Sequence, residues 1–487
     1  MIKNVIFDLD GTLWQTKQSY IYAYEKLCEK YNKTPIKGFE EVINYMGVKV
    51  DILLRDLFPE IVDQSNIINE ALNYSIEYIM KYPEGTCFPD VYSTLKGLSE
   101  NYNIYIISNC LKEYVETFMN ISNTSSFIKG FYTIEKGEKA DHLKNITNNF
   151  TEKSLFVGDD IEDYNQISDH SCVYFVYASY GYKDCDEYDY KINCLEELST
   201  VLQKIIRKER ILSNYRYEII SSNDTNLTLI EKEYGLCYFG FIETYSIDDL
   251  YKVINKLVIK SKGKKLVGPI DGNTFYNYRF AINNFDWKLY PDCKNSFEEY
   301  NAFIQSGFKI KQEYSSTLAN INTKFYERSQ RYTLSSEYKL LFVEGAECYK
   351  YLDDLYEVTI DAFSKADYYE SISKEDFIEL YLESIKLCNP DLFLIYHHDK
   401  LVAFHFCYED LEKRFYVSKT VGIKKAYQFK NILLTIINCS YKRVIEKGYD
   451  KVLHHFMNDR TKTLQAIYRG YELNKKRFVL LEYNNED

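Results

Sequence analysis

The sequence predicts an α/β protein whose first part is a doubly wound parallel sheet with a helical insert, followed by an α+β region. Three observations lead there. Short apolar runs alternate with amphipathic stretches as far as about residue 205, as parallel strands alternate with crossover helices. Two of those runs end in paired acids, Asp8 with Asp10 and Asp159 with Asp163, and open parallel sheets bind ligands beyond their strand ends. Beyond about residue 215 strands follow one another around turns, as Leu392–Tyr396 and Leu401–Phe406 do around Asp399-Lys400, which predicts a hairpin.

The elements follow in order. Val5-Ile6-Phe7 is a continuous apolar run, so it reads as a strand buried on both faces. Asp8 and Asp10 are two apart, so an extended backbone turns both to one side, and Gly11 allows a sharp turn after them. Residues 14–82 carry helical spacing in Ser19–Leu27, Glu40–Ile43, Val50–Leu54 and Ile67–Ile76. They form an insert that overhangs the catalytic edge as a lid. Asp90–Leu98, Lys112–Met119 and Lys139–Thr147 read as helices. Ile104–Ile107, Gly130–Ile134, Leu155–Val157, Val173–Val176 and Tyr190–Ile192 read as strands. Ser108-Asn109 closes the second strand. Leu195–Lys208 is the last helix of this part, and the expected domain spans 1–210.

In the second part, Leu236–Ile242, Lys265–Gly268, Phe415–Val421, Lys451–Phe456 and Phe478–Leu481 read as strands. Ile247–Ile259, Tyr427–Lys447 and Thr461–Tyr468 read as helices. A helix, a glycine, an aromatic residue and a strand occur in that order twice, at Gly307-Phe308 and Gly470-Tyr471. That predicts an internal duplication, divided into 211–330 and 331–487.

Composition narrows the function. A net charge of -12 and a pI near 5.3 disfavour nucleic-acid binding. No stretch is long and apolar enough to cross a bilayer, and a strand so near the start leaves no room for a secretory signal. The 12 cysteines are scattered without a Cys-x-x-Cys pair, which fits free thiols in a reducing cytoplasm and not a zinc site. His405, His454 and His455 lie on expected strands and read as satisfied structural residues.

The series Asp8-x-Asp10-x-Thr12, Ser108, Lys139 and Asp159…Asp163 resembles the haloacid dehalogenase (HAD) superfamily of phosphohydrolases. The resemblance covers about residues 1–205 and implies the following roles. Asp8 is the nucleophile and Asp10 the general acid/base. Thr12, Ser108, Asn109 and Lys139 meet the phosphoryl group. Asp8, Asp159, Asp163 and Asp10, the last through its backbone carbonyl, hold Mg2+. Lys139 is preferred over Lys136 because Lys139-Ala-Asp-His-Leu opens a helix; Asp160 and Glu162 are peripheral. The chemistry is coherent: a phosphate monoester among carboxylates needs a cation, and magnesium prefers oxygen ligands. The implied substrate is a small phosphorylated metabolite. Phosphosugar mutases related to β-phosphoglucomutase share the arrangement, and residues 14–82 do not separate the two.

Element order and the two Gly-aromatic endings over 215–487 resemble GNAT-type acyltransferases, which implies acetyl-CoA as a cofactor. The family's glycine-rich phosphate turn is replaced here by Val421-Gly422-Ile423-Lys424-Lys425-Ala426-Tyr427-Gln428-Phe429-Lys430-Asn431, and its frequent tyrosine by Ala466 and Phe303. A working transferase and a silent binding module both remain open. Oligomeric state is unknown from the sequence.

Overall fold

A computed structural model describes residues 2–34, 50–59, 64–167, 170, 172–222, 224–293, 295–428, 431–461 and 465–485. The chain divides into two compact units, Met1–Ser213 and Asn214–Asp487.

In the N-terminal unit β1 (Asn4–Phe7), β2 (Asn103–Ser108), β3 (Ile128–Thr133), β4 (Ser154–Gly158), β5 (Val173–Ala178) and β6 (Tyr190–Ile192) form one sheet, ordered β3-β2-β1-β4-β5-β6. Every neighbouring pair is parallel. Val5 and Phe7 enter one apolar cluster with Leu95, Val115 and Leu202, while Ile6 enters another with Ile107, Leu143 and Phe156. Both faces of β1 are therefore covered, which is why its apolar run is unbroken and does not alternate. Each of these fully buried side chains contributes about 1.5–3 kcal/mol. The chain leaves β1 for β2 on one side and β4 lies on the other, so the carboxyl end of β1 is the switch point where such sheets hold ligands.

Between β1 and α4 (Val91–Ser99) stand α1 (Lys17–Lys30), α2 (Val50–Leu57) and α3 (Gln64–Lys81). Tyr24, Leu27, Leu54, Leu57, Phe58 and Ile67 give this insert an apolar core of its own. The helix expected at Glu40–Ile43 lies outside the described residues. The remaining helices are α5 (Lys112–Ile121), α6 (Lys139–Ile146), α7 (Ile161–Asn165) and α8 (Glu197–Leu212).

The C-terminal unit is built on one sheet. Its strands are β7 (Arg216–Ser222), β8 (Thr225–Glu231), β9 (Leu236–Thr244), β10 (Lys265–Gly268), β11 (Phe280–Ala281), β12 (Lys309–Asn320), β13 (Tyr338–Glu344), β14 (Asp391–His397), β15 (Lys400–Asp410), β16 (Phe415–Ile423), β17 (Lys451–Asn458) and β18 (Glu472–Asn484). They run in the order β13-β14-β15-β16-β17-β12-β18-β10-β9-β8-β7, with β11 also on β18. The helices are α9 (Ile247–Lys260), α10 (Phe297–Gln305), α11 (Thr323–Ser329), α12 (Leu352–Phe363), α13 (Lys374–Cys388) and α14 (Ile432–Glu446). The strands after the two Gly-aromatic turns exchange places. β12, from the first half, pairs with β17, and β18, from the second, pairs with β10. β9 with β10 and β16 with β17 are the parallel pairs of this sheet.

Several sequence expectations shift here. The long helix begins at Ile432 and not Tyr427, because Asn431 at its start is left-handed with φ 59. The helix expected at Thr461–Tyr468 lies partly outside the described residues, and Ala466–Gly470 is a turn. The expected strand Phe478–Leu481 is the buried middle of the longer β18. β7, β8, β13, α12 and α13 had no separate expectation. His405, His454 and His455 are buried. His455 donates from Nε2 to the Pro291 carbonyl at 2.9 Å and accepts at Nδ1 from Ser316 at 2.8 Å, and His405 Nε2 lies 2.8 Å from Ser418 Oγ. Among the described residues no helix is long and apolar enough to cross a membrane.

Candidate active site

Asp8 continues β1, its amide donating to Val157 O at 2.9 Å. Asp159 follows β4, and Asp163 lies in the first turn of α7, whose start is capped by Asp160 accepting from the Glu162 amide. Carboxylate oxygens of Asp8, Asp159 and Asp163 all lie within 4.8 Å of one another, and all three residues are buried. Lys139, at the start of α6, donates to Asp8 Oδ1 at 2.6 Å and to Asp163 Oδ1 at 2.7 Å. Lys136 belongs to a separate 3-10 turn. Asp160 is held outside the group by an ion pair with Lys183 at 2.5 Å.

Glycines make room for these carboxylates. Gly11 has φ +86, and a Cβ there would stand 2.1 Å from Asp159 Oδ2. At Gly158 it would stand 2.4 Å from Asp163 Oδ2, and at Gly181 2.3 Å from Asp159 Cβ. The Tyr182 amide fixes Asp159 by donating to its Oδ2 at 2.7 Å.

The Asp10 carboxylate has a different setting. Its Oδ1 accepts from Thr16 Oγ1 at 2.5 Å and from the Tyr114 hydroxyl at 3.0 Å, and its Oδ2 from the Cys110 thiol at 3.1 Å. Of the residues expected to meet phosphate, Thr12 is fully buried and its hydroxyl has no hydrogen-bond partner among the described residues. Ser108 ends β2, and its Oγ accepts from the Cys110 amide at 3.2 Å. Asn109 follows it in a bend.

Thr16, Cys110, Tyr114 and Tyr182 were not expected. Cys110 stands in the bend before α5 and Tyr114 in its first turn, so no helical spacing links the two in the sequence. The amide of Tyr182 sits in a loop and leaves no trace in the sequence.

Charge is unbalanced in this pocket. Among the described residues, the carboxylates of Asp8, Asp159 and Asp163 face one ammonium, that of Lys139. Burial, then repulsion from Asp8, raises Asp159 well above the carboxylate range. Burial also raises Asp163, against the pull of Lys139. Burial alone would lower Lys139, but Asp163 and Asp8 outweigh it and raise it. Asp10 is pushed up to about 6, by burial first and by Asp8 in the same sense, with the Thr16, Cys110 and Tyr114 bonds holding it down. Three crowded oxygen donors with one countercharge, beside an orphaned hydroxyl, suit a hard divalent cation and a phosphate oxygen.

Residues 5–168 match the family of haloacid dehalogenase-like hydrolases. The N-terminal unit is a haloacid dehalogenase-like hydrolase domain. Its curated relatives are phosphatases. The chain is 26% identical over 194 residues to phosphoglycolate phosphatase of Pseudomonas savastanoi pv. phaseolicola, covering 37% of this chain and 70% of that protein. It is 27% identical over 151 residues to pyrophosphatase PpaX of Oceanobacillus iheyensis, covering 29% of this chain and 63% of that protein. Among solved structures, β-phosphoglucomutase of Clostridium difficile is 16% identical, with a TM-score of 0.38 over 44% of this chain and 100% of that one. The hydrolase domain thus carries its acids, its lysine and its glycines at the switch point of the sheet.

Proposed function

We propose that the chain is a magnesium-dependent phosphomonoester hydrolase acting through an aspartyl phosphate on Asp8. The observation that supports this most is Lys139 bridging Asp8 and Asp163 beside Asp159. Mg2+, held by Asp8, Asp159, Asp163 and the Asp10 carbonyl, would neutralise charge on the phosphoryl group. An Asp8 carboxylate oxygen attacks phosphorus, and the ester P–O bond breaks. Protonated Asp10 gives its proton to the leaving alkoxide. It then takes a proton from water as the water attacks phosphorus, freeing phosphate and regenerating Asp8. A carboxyl raised to about 6 can serve both steps near neutral pH. Lys139 holds Asp8 in place and balances charge. Thr12, Ser108 and Asn109 line the approach of the phosphate oxygens.

Hydrolysis of p-nitrophenyl phosphate by the full chain, with and without Mg2+, tests this beside Asp8→Asn. The expected result is turnover that needs Mg2+ and disappears in the variant. A folded Asp8→Asn protein with full activity would overturn the assignment.

A second reading concerns the C-terminal unit, which we infer to be a GNAT-like module. Its support is a sheet with two parallel pairs among antiparallel strands, each pair short. β10 stops at Gly268 while β9 continues, and β16 and β17 pair over Tyr416–Ser418 and Val452–His454. In the first pair the divergence is closed by the segment after β10, since Ile270 N donates to Phe239 O at 2.8 Å and Phe241 N to the Asp271 carboxylate Oδ1 at 2.5 Å. Any acetyl-CoA site therefore belongs to the second pair. Calorimetric titration with coenzyme A separates a transferase, which binds it, from a silent module, which does not.

A further inference from the structure

Beside Asp10 an open, apolar cavity extends between α5 and the helical insert. Its lining includes Cys110 and Tyr114, two of the three residues whose side chains donate to the Asp10 carboxylate. A group bonded to an oxygen that takes its proton from Asp10 would enter this space first. The lining also includes Tyr24, Leu27, Leu54, Leu57 and Ile68, from the apolar core of the insert and residues packed on it.

The polar groups that reach this space are already engaged. Ser75 donates to Ser19 at 2.9 Å, the Tyr20 hydroxyl lies 3.7 Å from Cys110 Sγ, and Tyr24 is bonded to Cys28. No lysine, arginine, histidine or carboxylate stands among the described residues that line it. A ligand carboxylate, a second phosphate or a set of sugar hydroxyls entering here would lose water and find no partner, which is strongly unfavourable. An alkyl or aryl group would instead gain by leaving water.

We propose that the substrate of the hydrolase domain is a phosphomonoester of an apolar alcohol, its alkyl or aryl group seated in this cavity. The proposal rests on the phosphatase reading above and departs from the polar substrates named for the curated relatives. The phosphate end is recognised by charge at the Asp8 site; the organic end is recognised by its lack of polarity.

The test is the full chain with Mg2+ and a homologous series of ethyl, butyl, hexyl and octyl phosphates, with 2-phosphoglycolate, glucose 6-phosphate and pyrophosphate alongside. Asp8→Asn is run on each. The expected result is a kcat/KM rising roughly fourfold per added methylene until the cavity is filled, with hexyl phosphate exceeding 2-phosphoglycolate by about 100-fold or more. Ala71→Trp, which takes up cavity volume, should end the rise at a shorter chain. Asp8-dependent turnover of the polar esters with no gain along the alkyl series would overturn the proposal and leave the phosphatase reading standing. Turnover that survives in Asp8→Asn, or none with any ester, would overturn both.

Discussion

Acid should pull the two units in opposite directions, and the chain carries its own reporters. In the C-terminal unit His405, His454 and His455 are at most 3% exposed. Burial, the first cause for each, lowers them to about 3 from an ordinary 6.5. A histidine depressed in the folded state contributes stability that is complete above pH 6.5 and is lost as pH falls toward 3. At pH 5 the unfolded chain is favoured by 1.5 pH units of protonation, about 2 kcal/mol per histidine. The three together remove about 6 kcal/mol, comparable to the whole stability of many domains. In the N-terminal unit the sign reverses. Burial raises Asp10 and Asp189 to about 6 from 3.8. A raised acid contributes stability that is complete below 3.8 and is lost as pH rises through 6. Going from pH 7.5 to pH 5 therefore adds about 1 kcal/mol for each of these two. The chain has two tryptophans, fully buried Trp14 in the first unit and Trp287, against Phe415, in the second. Urea unfolding followed by fluorescence in Trp14→Phe reports the second unit, and in Trp287→Phe the first, in EDTA to keep metal out. Between pH 7.5 and pH 5 the Trp287 midpoint should fall steeply while the Trp14 midpoint holds or rises. A Trp287 midpoint unchanged at pH 5 would refute the burial argument for the histidines.

Three further outcomes bear on the site. Lys139→Met leaves the Asp8, Asp159 and Asp163 carboxylates without their ammonium. Breaking such a buried pair costs about 3–5 kcal/mol, so apo stability by thermal melting should fall, Mg2+ should restore much of it, and kcat should drop by about 100-fold or more. Gly11→Ala places a methyl 2.1 Å from Asp159 Oδ2 at a backbone φ of +86; displacement of Asp159 should weaken Mg2+ binding in calorimetry and abolish most turnover. Tyr114→Phe removes a donor that holds Asp10 down, so Asp10 should rise above about 6 and the alkaline limb of the kcat–pH profile should move up.

The hydrolase fold and its acids were legible because their reasons are local. A strand covered on both faces must be apolar throughout, and Val5-Ile6-Phe7 is. Lys139 was distinguishable from Lys136 because it opens a helix, and the structure places its ammonium on Asp8 and Asp163. The partners of Asp10 were not legible. Thr16, Cys110 and Tyr114 come from two separate stretches, and nothing in either one indicates a carboxylate. In the C-terminal unit β13 and β7 escaped notice because they stand at the two ends of the sheet path. There a strand meets one neighbour and is partly exposed, so Arg216–Ile219 and Lys339–Leu340 carry mixed polarity.

By itself the sequence determined which residues alternate as strand and helix, where the acids fall relative to strand ends, and that a Gly-aromatic ending recurs. Those follow from period, turn chemistry and charge, which act within a few residues. Only the tertiary structure decided what those pieces meet. It gave Asp10 three donors, left the Thr12 hydroxyl without one among the described residues, and set an apolar cavity beside the acid. It also crossed the last strands of the two halves, pairing β12 with β17 and β18 with β10. Backbone hydrogen bonds are alike in every strand, so a strand's own residues specify its faces, while the neighbour it takes depends on packing across the whole sheet.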